Sequence, residues 1–201
     1  ISLQVGKAIA HVFGASGHGS LKAVLGKDTR LSGYMIETAL TSGLLSMGMD
    51  VLEVGPMPTP AVAHLTKSMG CACGIMISAS HNPSHDNGIK VFGPDGFKLP
   101  DEVEKDIEAH VLQGEIQSSH IEPGMIGKAY RIDDARGRYI EFTKSSIKNR
   151  SLRGLKVVLD CANGAAYSMA PLIFRELGAE VIETAVRPDG HNINKNCGAT
   201  C

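Results

Sequence analysis

Between residues 74 and 90 the chain reads GIMISASHNPSHDNGIK, and five side chains able to do chemistry fall in its second half: Ser80, His81, His85, Asp86 and Lys90. A serine hydroxyl is a poor nucleophile by itself and needs a base, a metal ion or prior modification to react. Three chemistries therefore compete with a plain turn. A hydrolase would need a histidine in reach of Ser80 and a third group to orient it. The adjacent His81 reaches back poorly, and no G-x-S-x-G elbow is present. A metal centre could use His81, His85 and Asp86, at a spacing that matches no strong ligand pattern. A phosphoryl carrier would need cations and donors around Ser80, with Lys90 close by and a divalent ion to offset charge. Residue types and spacing leave all of these open.

The elements that must hold this loop can be read from hydrophobic period and turn residues. Gly74–Ser78 is an apolar run short enough for a buried strand, and Gly88–Phe92 begins a second strand, so the reactive residues sit on a loop between them. Pro83 restricts Asn82 to extended backbone and gives the turn a defined shape. Upstream, the periodicity predicts a helix over 3–13 ended by Gly14, a flexible connection over 14–20, and a strand over 22–26. A helix over 34–47 follows, with Ser32 as its N-cap. A strand at 51–54 and a proline-opened helix to about residue 69 come next. Pro100 opens an acidic-started helix to about residue 112.

Alternating strands and helices predict an α/β fold, a layered αβα domain with a mixed, largely parallel sheet, over residues 1–114. Residues 115–154 read as a linker, polar and irregular to residue 135, with a linking helix over 136–147. Residues 155–201 read as the start of a second, similar α/β domain: strand 155–160, a helix from Gly164 to about Leu177, and a strand from Glu180. Ile1 and Thr200-Cys201 read as internal positions, so the expectation is an N-terminal piece of a longer chain. Its incomplete second domain should then be only marginally stable.

Composition narrows the partners. With 43% hydrophobic residues a real core is available, and a net charge of −1 supplies no field to draw in nucleic acid or an anionic membrane. The 201 residues contain no signal peptide, no bilayer-length apolar run and no lipidation motif. The five cysteines (Cys71, Cys73, Cys161, Cys197 and Cys201) lack zinc-site spacing. They suit the reduced thiols of a cytoplasmic protein, the alternative being a C-x-C redox or metal role for Cys71 and Cys73.

The pattern S-A-S-H-N-P-x-x-D-N-G-I-K over residues 78–90 resembles the phosphoserine loop of the α-D-phosphohexomutases. Companion segments stand in the family's order: Asp28-Thr29-Arg30-Leu31-Ser32-Gly33, Gly55-Pro56-Met57-Pro58-Thr59-Pro60 and Gly93-Pro94-Asp95-Gly96-Phe97-Lys98-Leu99. Leu159–Ala166 and Pro188–Thr200, the latter with Pro188-Asp189-Gly190-His191-Asn192-Ile193-Asn194, are similar in particular to the branch acting on glucosamine phosphates.

The resemblance implies a phosphoserine at Ser80 and interconversion of glucosamine 6-phosphate and glucosamine 1-phosphate through a bisphosphate that reorients. The route would be amino-sugar metabolism leading to UDP-N-acetylglucosamine. Mannose or glucose phosphates are the alternative substrates, and a non-catalytic sugar-phosphate-binding fragment the alternative class. It implies that Ser80 carries the phosphoryl group, that Lys90 neutralises charge and helps proton transfer, and that His81 and Asn82 shape the loop and donate to phosphate oxygens. Arg30 is expected with Asn82 on the substrate-binding side, either supporting the loop or paired with Asp28. His85 is expected as a solvated turn residue and His191 as a structural loop residue. Asp160 and Asn163 are expected at a strand end and turn. The implied cofactors are Mg²⁺, ligated through the Ser80 phosphate, and glucosamine 1,6-bisphosphate or a similar hexose bisphosphate as activator. The family's metal-carboxylate loop, sugar-recognition loop and phosphate-gripping loop have no counterpart in these residues. The chain alone is therefore expected to be inactive.

Overall fold

The computed structural model describes residues 1–15, 21–114, 116 and 125–201. Its elements run α1 (Ser2–Ala15), β1 (Lys22–Lys27), α2 (Ser32–Leu45), β2 (Asp50–Pro56), α3 (Thr59–Ser68), β3 (Cys73–Ile77), β4 (Ile89–Phe92) and α4 (Asp101–Gln113). After these come β5 (Ala129–Arg131), α5 (Ala135–Ser145), β6 (Lys156–Asp160), α6 (Ala170–Glu176) and β7 (Glu180–Thr184). The strands make a five-stranded sheet of order β4-β3-β1-β2-β5 and a two-stranded sheet of β6 and β7. In the larger sheet β3, β1, β2 and β5 run parallel and only the edge strand β4 is antiparallel. The fold is α/β with a mixed, largely parallel sheet.

Burial on both faces explains why β1 and β3 read as continuous apolar runs rather than alternating ones. Ala23, Leu25, Cys73, Ile75 and Ile77 point into a core shared with Ile9 and Phe13 of α1 and Leu40 and Leu44 of α2. Their neighbours Val24 and Met76 point the other way, onto Val62 and Leu65 of α3 and Ile140 of α5. At α3 the fit is tight: a Cβ on Gly74 would lie 2.1 Å from the Thr66 hydroxyl oxygen. That hydroxyl is itself fixed by donating to the Val62 carbonyl (2.8 Å). The outer helix α5 stacks Phe142 on His64 of α3, ring centroids 3.6 Å apart, and burial there lowers the His64 pKa.

Four sequence expectations change. Ser32 is not an N-cap: α2 begins at Ser32 itself, after Leu31 in helical backbone, and the Ser32 hydroxyl instead accepts a hydrogen bond from Asn87 of the serine loop (2.8 Å). Gly14 does not stop α1, which runs on to Ala15. The larger sheet does not end before residue 115, because Val51, Leu52 and Glu53 of β2 pair with Ala129, Tyr130 and Arg131. A three-residue edge strand with all its side chains exposed carries no hydrophobic period, so β5 left no trace in the pattern. The helix expected from Gly164 starts only at Ala170, after a run of turns. The expected connection at 14–20 falls mostly outside the described residues. The β6–β7 pair leaves Val158 and Ile182 69% and 48% exposed. No helix among the described residues is long and apolar enough to cross a membrane.

Because α3 rests directly on β3, Gly74→Ala is expected to lower stability by about 1–3 kcal/mol through overpacking. Urea unfolding should show a lower midpoint at unchanged slope; an unchanged midpoint would mean that Thr66 yields freely.

Candidate active site

The serine loop leaves the C-terminal end of β3 and returns as β4, a place where open α/β sheets present ligands. Its stem is closed by Ser78 N–H donating to Gly88 O (2.9 Å), and the Ser80 N–H donates to the Ser78 hydroxyl (3.1 Å). Asn82 N–H donates to Ala79 O (3.1 Å), and the Asn82 side-chain amide donates to Asp86 (3.1 Å). Asn87 ties the far side of the loop to Ser32. Ser80 sits at the exposed apex in left-handed backbone, φ +54°. An L side chain is disfavoured there by about 1–2 kcal/mol, so the surrounding contacts must hold it.

Arg30 supplies that hold from below. It is fully buried, and its Nη1 pairs with Asp28, whose other oxygen accepts the Arg30 backbone N–H (3.0 Å). Nη2 donates to the carbonyls of Ser80 (3.2 Å) and Asn82 (2.6 Å). Both expected roles of Arg30, ion pair and loop support, are thus realised at once. Contact with a substrate in open solvent is not, because no part of the guanidinium is exposed.

Above the apex, Lys90 Nζ donates to Ser80 Oγ at 2.6 Å. The antiparallel register sets this contact: Lys90 lies opposite Met76 on β4, so the strand returning from the loop carries its ammonium back toward the loop's own serine. Among the described residues Lys90 is the one hydrogen-bond partner of Ser80 Oγ. His81 is exposed and makes no bond to it, and His85, with a 79% exposed side chain, lies 3.8 Å from Asp86 alone. A Ser-His-acid relay is not assembled. One N–H of the Asn82 amide is used on Asp86 and shapes the loop, which leaves the second N–H of that amide as a donor.

A cleft of about 470 Å³ opens beside Ser80 and His81, floored by Asp28 and Ser78 and walled by Asp160 and Asn194 from the second sheet. Asp160 accepts the backbone N–H groups of Ala162 (2.8 Å) and Gly198 (2.9 Å), so it holds a turn as expected. The residues here do not make a Mg²⁺ site. Asp28 is taken by Arg30 and Asp160 by two amides. Among the described residues no three His, Cys, Asp or Glu side chains converge as a ligand group. Cys71 and Cys73 are buried and unpaired, and burial pushes both thiols up, which disfavours the reactive thiolate.

Three contacts to residues beyond 160 escaped the sequence reading. Thr29 Oγ1 donates to Asn163 O (2.5 Å), Leu31 N–H to Gly190 O (3.0 Å), and Asn194 Nδ2 to the Ser80 and Asn82 carbonyls (3.0 and 3.1 Å). All three partner residues lie in the family-like segments Leu159–Ala166 and Pro188–Thr200, which marked the segments but not what they touch.

Removing the Arg30 guanidinium would leave Asp28 an uncompensated buried charge and strip one donor from each of two carbonyls. Arg30→Met is expected to cost about 3–5 kcal/mol in chemical denaturation. Arg30→Lys should recover part of this, since a single ammonium cannot fork to Asp28 and both carbonyls. Equal stability of Arg30→Met and wild type would show that the loop does not depend on this pair.

The family model for phosphoglucomutase/phosphomannomutase, alpha/beta/alpha domain I, matches residues 1–118. The chain is 56% identical over 200 residues to the phosphoglucosamine mutase of Geotalea daltonii and 60% identical over 201 residues to that of Cereibacter sphaeroides. It aligns over 99% and 100% of its own length and spans 44% of each of theirs. A phosphoglucomutase/phosphomannomutase family protein from Burkholderia thailandensis superposes with a TM-score of 0.79 at 27% identity, covering 94% of this chain and 41% of that one. With its first domain matched over more than half of its residues, the chain belongs to the phosphoglucomutase/phosphomannomutase family.

Proposed function

We propose that this chain carries the phosphoserine loop of a phosphoglucosamine mutase, which interconverts glucosamine 6-phosphate and glucosamine 1-phosphate in amino-sugar metabolism. The observation that supports it most directly is the Lys90 ammonium on Ser80 Oγ at 2.6 Å, with Ser80 exposed at a strained loop apex. A cation donating to the serine oxygen does not act as a base that strips its proton. It does stabilise that oxygen when negative charge develops on it, which happens whenever the oxygen is the leaving group of a phosphoryl transfer. The choice of the amino sugar rests on the similarity to phosphoglucosamine mutases at 56–60% identity.

In the forward direction Ser80 begins as its phosphate. A sugar hydroxyl attacks phosphorus as the phosphorus–Oγ bond breaks. Lys90 neutralises the charge on Oγ, and Oγ recovers a proton as the hydroxyl loses one. The bisphosphate so formed turns over in the cleft, and its other phosphoryl group returns to Ser80 by the reverse step. His81 and Asn82 shape the rim of the loop, and Arg30 holds its base. A Mg²⁺ ligated by the Ser80 phosphate would need carboxylates that the described residues do not supply, and no step here depends on one. The reading as a phosphomannomutase or phosphoglucomutase differs only in the sugar.

In the complete protein, Ser80→Ala should abolish turnover of glucosamine 6-phosphate and all uptake of phosphate from a hexose bisphosphate. Lys90→Met should lower kcat by about 10²- to 10³-fold, as expected for loss of one charged donor at a reacting oxygen. Steady-state turnover checks both, and mapping of the phosphopeptide by mass spectrometry locates the phosphate. Phosphate on any residue other than Ser80 would overturn the mechanism. Preferential turnover of mannose or glucose phosphate would overturn only the choice of sugar.

A further inference from the structure

Resting on the reading of Ser80 as phosphoryl carrier, we infer that Asn194 is a positioning residue, one through which the seat of the β6–β7 unit sets the geometry of the serine. Asn194 does not touch Ser80 Oγ. Its one amide nitrogen donates to two backbone carbonyls, Ser80 O at 3.0 Å and Asn82 O at 3.1 Å. The same two carbonyls accept from Arg30 Nη2. Each carbonyl has two lone pairs and receives two donors: a buried guanidinium on one side and an amide from a distant segment on the other.

The peptide planes on either side of the apex are thereby fixed, and with them a serine at φ +54° that would otherwise relax. Relaxation would rotate Oγ away from Lys90, which reaches it over a single 2.6 Å bond. Arg30 lies on the β1–α2 connection and is anchored there by Asp28. Asn194 is anchored elsewhere. Its own N–H donates to Ala162 O (2.9 Å), its backbone is left-handed at φ +59°, and the turn beyond it is tied by Gly198 N–H to Asp160 at the end of β6. The second unit meets the β1–α2 connection at two nearby points, Thr29 to Asn163 and Leu31 to Gly190. At the latter a Cβ on Gly190 would stand 3.1 Å from the Leu31 Cβ, which leaves little room for sliding. Among the described residues Asn194 is thus the one side chain of the second unit that hydrogen-bonds the serine loop directly, and phosphoryl transfer should depend on how that unit is seated.

The test uses the complete protein and Asn194→Asp, which keeps the shape and one acceptor oxygen but replaces the donor by an acceptor against two carbonyls. Two measurements are made per folded molecule. The first is kcat and KM for glucosamine 6-phosphate. The second is the rate at which Ser80 takes a phosphoryl group from glucose 1,6-bisphosphate, in which a phosphorus–oxygen bond to the sugar breaks, one to Oγ forms, and the serine proton passes to the sugar oxygen. Both kcat and the uptake rate should fall at least tenfold together, with KM changed less than threefold. Wild-type values in Asn194→Asp overturn the inference, as does a rise in KM at constant kcat, which would make Asn194 a substrate contact. Should Asn194→Asp melt below the assay temperature, Asn194→Ala, which places no charge beside the carbonyls, is judged by the same numbers. Activity lost only in proportion to folded protein would also overturn the inference. Failure of the wild-type Ser80 to take phosphate at all would instead defeat the phosphocarrier reading on which this rests.

Discussion

A guanidinium buried beneath a loop is costly unless every charge and most donors around it are matched, and the first sheet is arranged around that requirement at Arg30. Asp28 neutralises it and two loop carbonyls take its second nitrogen, while Nε is left without a partner. The connection from β1 and the loop from β3 can both reach it because β1 and β3 are parallel neighbours whose C-terminal ends lie side by side: Lys27 pairs with Ile77, and Asp28 N–H extends the ladder to Ile77 O. A parallel central sheet therefore decides where the charge can be buried. The buried charge in turn decides the shape of the loop.

The same constraint separates support from chemistry. Below the loop, Arg30 acts on backbone oxygens and is sealed from solvent. Above it, Lys90 acts on the exposed serine oxygen from the antiparallel edge strand. Two cations on opposite sides of one serine thus have unlike tasks, and burial distinguishes them where residue type does not. An exposed ammonium remains free to meet an anionic group arriving from the cleft. A buried guanidinium with its hydrogen bonds committed does not.

Legibility followed the physics of each element. Strands β1, β3 and β6 announced themselves as short apolar runs, helices α1 and α2 by apolar period, and α3 and α4 by a proline or an acidic first turn, because each signal is written in neighbouring residues. β5 did not, since a three-residue exposed edge strand is held by its ladder hydrogen bonds and buries nothing. Ser32 read as a cap because serine before an apolar period usually is one. Here Asn87 claimed the hydroxyl from 55 residues away, a competitor that local pattern cannot reveal.

By itself the sequence determined the α/β alternation, the place of the reactive loop between two strands, and a motif over residues 78–90 specific enough to name a family. Those features are local, written in residue type and short-range period. Only the tertiary structure decided which nearby group meets Ser80 Oγ, that Arg30 lies under the loop rather than in the cleft, and that Asn194 reaches the same two carbonyls from 112 and 114 residues away. These are long-range pairings set by strand register and by the satisfaction of buried polar groups. Such pairings become visible only once the sheet has brought distant segments together.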